Sequence, residues 1–109
     1  MIYRVKLEYS IRGLGRSEQT VLSGLNKGDE FNFGNNRNIS VKIIDMNDSM
    51  VTLKFTKLSK NMMIPGGNNM VELHVGDVVT PVSLIIPHPH YEIKILEIWE
   101  EDERRLRYL

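Results

Sequence analysis

Residues 39–58 have the sequence ISVKIIDMNDSMVTLKFTKL, and this stretch decides the fold. In its second part apolar and polar side chains alternate, which places Val51, Leu53 and Phe55 on one face of an extended chain. Residues 47–49 are Asn, Asp and Ser, which favour tight turns. Two extended runs joined by a short polar turn are typical of a β-hairpin. We therefore predict strands over residues 39–46 and 50–58.

The same period of two recurs on both sides of this hairpin. From Tyr3 to Ile11 every second side chain is apolar, which predicts a half-buried strand. Further extended runs are bounded by Gly, Asn and Pro, and they cover residues 18–22, 30–33, 70–75, 78–86 and 91–99. Pro81 interrupts one of them, which suits an edge strand or a bulge.

The last of these runs contains a break in its alternation. Leu96 and Ile98 fall on the face opposite to Ile93 and Ile95 if the strand is regular. Either a β-bulge switches the face at this point, or both faces of the strand are covered.

The composition agrees with a strand-rich chain. None of the 109 residues is alanine, the strongest helix former, and Val and Ile are frequent. Seven or eight short strands predict an all-β fold, a small antiparallel β-sandwich, with a partly open β-barrel as the alternative. We expect one β domain over residues 1–99. Its predicted core consists of Val5, Leu7, Ile43, Val51, Leu53, Phe55, Leu73, Ile93 and Ile95.

Residues 100–109 form a charged C-terminal tail with a different pattern. Acidic residues come first and basic residues last, an order that complements a helix dipole. A segment this short is marginal as an isolated helix, so we expect a short helical or disordered tail. Leu106 and Tyr108 are its candidate partner-binding residues, since they could dock on another surface.

Two turns share a pattern. Residues 25–31 and 73–79 both follow Leu-x-x-Gly-Asp-x-apolar, in which Gly supplies an unusual backbone angle and Asp bonds a nearby amide. Reuse of a common β turn is the simpler explanation. A duplicated half-domain with pseudo-twofold symmetry is the alternative.

Composition and charge exclude several classes of function. The chain has no cysteine, which excludes disulfides, thiolate zinc sites and thiol catalysis. Its 14 basic and 14 acidic residues give a net charge of zero, which argues against nucleic-acid binding. The apolar runs are too short to span a membrane, and the N-terminus lacks a signal-peptide pattern, so we expect a cytoplasmic protein. No motif indicates a cofactor.

The histidines are the candidate metal ligands. His88 and His90 are two residues apart and share a side of an extended segment, and His74 precedes a turn. Together they could bind a metal ion or support a cupin-like enzyme acting on a small molecule. The ligand spacing matches no established metal motif. No serine has an adjacent base, and no pair of carboxylates lies in an apolar run, so we identify no catalytic residue.

A non-enzymatic protein-interaction or assembly module is therefore the preferred function. Open sheet edges invite strand pairing, and a small core gains stability from a partner or from homo-oligomer formation. Met62 and Met63 lie between polar stretches and are the candidate partner-binding residues within the domain.

Overall fold

A computed structural model describes residues 2–34, 37–66, 68–85 and 88–101 of the chain. Within these residues the structure consists of strands, turns and loops and contains no α-helix. The strands are β1 (Ile2–Gly13), β2 (Arg16–Leu25), β3 (Glu30–Phe33), β4 (Ile39–Met46), β5 (Met50–Lys57), β6 (Met62–Met63), β7 (Met70–His74), β8 (Val78–Val79), β9 (Val82–Ser83) and β10 (His90–Glu101).

The strands form a small β-sandwich, as predicted. One antiparallel sheet has the order β2-β1-β10-β8, and the other has the order β3-β4-β5-β7. The short strands β6 and β9 pair separately as a two-stranded ribbon. Over the described residues the sheets remain separate and do not close into a barrel, so the sandwich is confirmed over its alternative.

The core lies between the two four-stranded sheets. All nine predicted core residues are buried, which confirms the alternation as the signal that decides the fold. The prediction did not include further buried side chains from both sheets and from one connection, namely Ile11, Phe31, Phe33, Ile39, Val41, Ile64, Val79 and Tyr91.

The break in the alternation of β10 is a bulge. Leu7 lies opposite Ile95 and Lys6 lies opposite Glu97, so Leu96 has no partner on β1. The extra residue lets Ile95 and Ile98 both contact the core although they are three positions apart.

Some strand boundaries differ from the prediction. The 78–86 run divides into β8 and β9 around Pro81, and β6 was not anticipated. β10 continues through Glu101, which lies opposite Ile2, so the first two residues of the predicted tail belong to the sheet. Residues 102–109, including Leu106 and Tyr108, lie outside the described residues.

The two Leu-x-x-Gly-Asp turns adopt the same hydrogen-bonded structure. Gly28 N–H donates to the carbonyl oxygen of Ile43 at 2.8 Å, and Gly76 N–H donates to that of Ile95 at 2.8 Å. In return, the amide of Ile43 donates to the carbonyl oxygen of Asp29, and the amide of Ile95 donates to that of Asp77. Each Asp carboxylate also accepts from the amide three residues before it.

The correspondence extends to the whole topology. The first-half strands β1, β2, β3 and β4 can be matched with the second-half strands β5, β7, β8 and β10. With this exchange the order β2-β1-β10-β8 of the first sheet becomes β7-β5-β4-β3, which is the order of the second sheet read from its other end. The bulge at Leu96 in β10 has a counterpart at Ile44 in β4, because Ile44 has no partner residue on the neighbouring strand β5. The sequence repeats too, since VKLEYS at 5–10 matches VTLKFT at 51–56, and VKIIDM at 41–46 matches IKILEI at 93–98. Reuse of one common turn does not explain this agreement, so we interpret the domain as two related halves.

The paired turns predict equal effects of mutation. Gly28 has a φ of 93° and Gly76 a φ of 92°, and a Cβ at either position would meet nothing within 4 Å. Each Gly→Ala substitution should therefore lower the free energy of unfolding through backbone strain alone, by about 1–2 kcal/mol. Urea denaturation of the two variants measures this. A twofold or greater difference between their losses would contradict the equivalence of the turns.

Candidate functional site

An open groove of about 660 Å³ lies along one side of the sandwich, between the edge strands β2 and β3. We call it the β2–β3 groove. It arises because β2 ends the first sheet and β3 ends the second, so the space between them is left open at this side. Its lining comes from β1 (Tyr9 and Ile11), from β2 (residues 16–20), and from β3 and the residues after it (Asn32, Phe33, Gly34 and Arg37).

A cluster of aromatic rings forms the apolar part of the groove. Tyr9 packs against Phe33 with ring centroids 4.9 Å apart, and against Phe31 at 6.1 Å. Phe33 also meets Tyr91 edge-on at 6.2 Å, which joins the groove to the core. Phe33 is buried and Tyr9 is half-buried, so the tyrosine ring stands at the boundary between core and solvent. Such a ring offers apolar contact area and a polar hydroxyl to a ligand.

Polar side chains line the rest of the groove. Arg16 forms an ion pair with Glu18 on the same strand, with 2.8 Å between Nη2 and Oε2. Arg37 Nη1 donates to Asn32 Oδ1 at 3.4 Å. Thr20 lies opposite Tyr9 in the β1–β2 pairing and is half-buried. The groove thus combines an aromatic floor with a polar margin, the usual division in protein recognition sites.

In the other half of the domain the matching aromatic residue is buried. Phe55 occupies in β5 the position that Tyr9 has in β1, and it is only 2% exposed. The connection between β5 and β7 contributes Ile64 to the same hydrophobic cluster, where it is 1% exposed. Between β1 and β2 the connection is only residues 14–15, so no segment of this kind is available to cover Tyr9.

The two predicted partner-binding methionines lie in β6, which pairs with β9. Met62 packs against the core, whereas Met63 is 42% exposed. Met63 lies opposite Val82, which is also exposed, so the ribbon presents an apolar outer face. The structure leaves Met63 accessible to a partner and gives Met62 a packing role.

The three histidines make separate contacts with nearby groups. His74 Nδ1 lies 3.4 Å from Asp77 Oδ2, and His90 Nε2 lies 3.3 Å from Glu92 Oε2. His88 Nδ1 lies 2.8 Å from its neighbour's carbonyl oxygen. Among the described residues no three His, Cys, Asp or Glu side chains are grouped so that they could hold a metal ion. The predicted metal site therefore remains a hypothesis from sequence without a supporting geometry.

No family model, curated protein or solved structure matches this chain. In the described part of the chain there is also no helix with the length and apolar character needed to cross a bilayer. The β2–β3 groove is therefore the feature of the described residues from which a function can be inferred.

Sequence reasoning identified the strands that form the groove but did not identify the groove. Tyr9 lies on the apolar face of a predicted half-buried strand and was not among the predicted core or site residues. One signal was available: the repeated V-x-L-x-aromatic pattern pairs Tyr9 with Phe55 and directs attention to the unequal connections that follow them.

Proposed function

We propose that this chain is a non-enzymatic interaction module that binds a protein partner in the β2–β3 groove. The proposal depends on one observation, that the half-buried ring of Tyr9, which packs on the buried ring of Phe33, lines an open groove between two sheet edges. Aromatic residues are enriched at protein interfaces, where they bury much area with few rotatable bonds. The groove supplies such a ring at Tyr9, which packs on the buried ring of Phe33.

The edge of β3 supports a protein partner over a small molecule. β4 pairs with one side of β3, and over the described residues no strand pairs with the other side. An edge strand presents backbone N–H and C=O groups that an extended peptide can bind. Side-chain pockets beside such an edge then select the sequence that binds. Asn32 and Phe33 place this edge at the wall of the groove.

A pair of neighbouring substitutions tests this function. Thr20→Arg adds a long charged side chain to the groove, whereas Val21→Arg adds the same group to a residue that is 46% exposed and lies opposite Glu8. We expect a partner captured from the native host to be retained by the wild type and Val21→Arg and lost by Thr20→Arg. With the partner purified, calorimetry should give at least about tenfold weaker binding for Thr20→Arg. The arginine side chain would occupy the groove and prevent the partner from making the few contacts that contribute most of the binding free energy.

The control and the contrary outcome are both measurable. Thermal unfolding must show that the two variants remain folded. If Thr20→Arg binds the purified partner as tightly as Val21→Arg does, the groove is not the binding face. Light scattering on the wild type alone shows whether that partner is a second copy of the chain.

A further inference from the structure

A second pocket, of about 330 Å³, lies where β1 begins and β4 ends. The connection from β2 to β3 also borders it, and this connection passes from the first sheet to the second. None of the described residues lines both this pocket and the β2–β3 groove. We call it the end pocket, and its lining residues are Ile2, Tyr3, Arg4, Asn26, Lys27 and Met46.

The two basic side chains of the end pocket each lie beside a carboxylate. Arg4 forms an ion pair with Glu101, and its Nη1 donates to the carbonyl oxygen of Gly24 at 2.9 Å. Lys27 Nζ lies 3.7 Å from Asp45 Oδ1. Because both positive charges already face a negative one, the pocket favours an uncharged group over an anion.

The rest of the lining combines apolar surface with a side-chain amide. Ile2 is half-buried, and Met46 is half-buried and packs against the core. Asn26 Oδ1 is buried and has no hydrogen-bond partner among the described residues. An uncharged side chain with a large apolar body and a hydroxyl group fits this combination, and tyrosine has both.

The C-terminal tail begins at the rim of the end pocket. β10 ends at Glu101, which lies opposite Ile2 and is paired with Arg4, and both of these residues line the pocket. Tyr108 follows seven positions later, outside the described residues. Seven residues can span up to about 23 Å, so the tail is long enough to turn back to the pocket. Leu106 shares the side of Tyr108 if this segment is extended.

We propose that the end pocket binds the C-terminal tail of its own chain, with the Tyr108 side chain as the anchor. The ring packs against Ile2 and Met46, and the hydroxyl group bonds with the side-chain amide of Asn26. Leu106 adds apolar contact at the rim, where its removal from water stabilises the docked tail. The partner of the two apolar tail residues is therefore the domain itself, and this contact is independent of the β2–β3 groove.

Nuclear Overhauser spectroscopy on the isotope-labelled full-length protein tests this contact. We expect cross-peaks between the Tyr108 ring protons and the Met46 methyl protons. Tyr108→Ala should remove these cross-peaks and shift the amide resonances of Ile2, Asn26 and Met46. Arg107→Ala is the matched control, because it truncates the preceding tail residue, and it should leave both the cross-peaks and these resonances in place.

Two outcomes would overturn the proposal. The first is the absence of these cross-peaks, or a Tyr108→Ala variant that moves the pocket amides no more than Arg107→Ala does. The second comes from a mixture of labelled and unlabelled protein. If the cross-peaks then join a labelled to an unlabelled chain, the pocket binds the tail of a second copy. Neither outcome affects the proposed function, because the measurement requires no external partner.

Discussion

Leu53→Ala should lower the free energy of unfolding by about 2–5 kcal/mol, the range for large-to-small substitutions in a well-packed core. Leu53 lies in β5, an inner strand of its sheet, and is fully buried. Truncation removes apolar contacts and leaves a cavity that the surrounding strands fill only in part. Leu7 has the corresponding position in β1 and is equally buried, so Leu7→Ala should have a loss in the same range.

Urea denaturation monitored by circular dichroism measures both losses. Lys54→Ala is the matched control, because Lys54 is the next residue on the same strand and is exposed. Its substitution should change the free energy of unfolding by less than about 0.5 kcal/mol. A loss of that small size for Leu53→Ala would mean that the Leu53 side chain is not in the core, and the predicted faces of β5 would be wrong.

The alternation of apolar and polar residues predicted the sandwich well because it indicates which side chains are buried on folding. A strand exposes and buries successive residues, so the apolar positions at Val51, Leu53 and Phe55 were sufficient to place β5 and its buried face. The hairpin turn was predictable for a local reason as well. Asn47 Oδ1 accepts from the amides of Ser49 and Met50, each at 2.9 Å, so the side chain itself stabilises the reversal.

The groove could not be predicted in the same way, because it depends on where the edges of two sheets end in space. Nothing local to Tyr9 distinguishes it from Phe55, although one ring is half-buried and the other fully buried. The two halves also differ in the connections that follow these rings, which the strand pattern does not reveal. β6 escaped prediction for a related reason, since its two residues are too few to show a period and its partner β9 lies some twenty positions away.

The internal repeat supplied what local patterns did not. It identifies equivalent positions in the two halves, so the structure of one half becomes a reference for the other. On this comparison the halves differ in the connection that follows the aromatic residue, which is two residues long after β1 and contains β6 and Ile64 after β5. The importance of the β5–β7 connection can therefore be tested by a stability measurement that needs no partner.

Ile64→Ala should lower the free energy of unfolding by about 2–5 kcal/mol, as much as a substitution within a sheet. Ile64 lies outside every strand, yet it belongs to the main hydrophobic cluster. Met63→Ala is the matched control, because the adjacent side chain is 42% exposed and should contribute less than about 0.5 kcal/mol. Urea denaturation of both variants measures the change in the free energy of unfolding and shows whether Ile64 contributes to the core or whether the connection only joins two strands. Equal, small losses would mean that the Ile64 side chain does not contribute to the core and that the connection only joins β5 to β7.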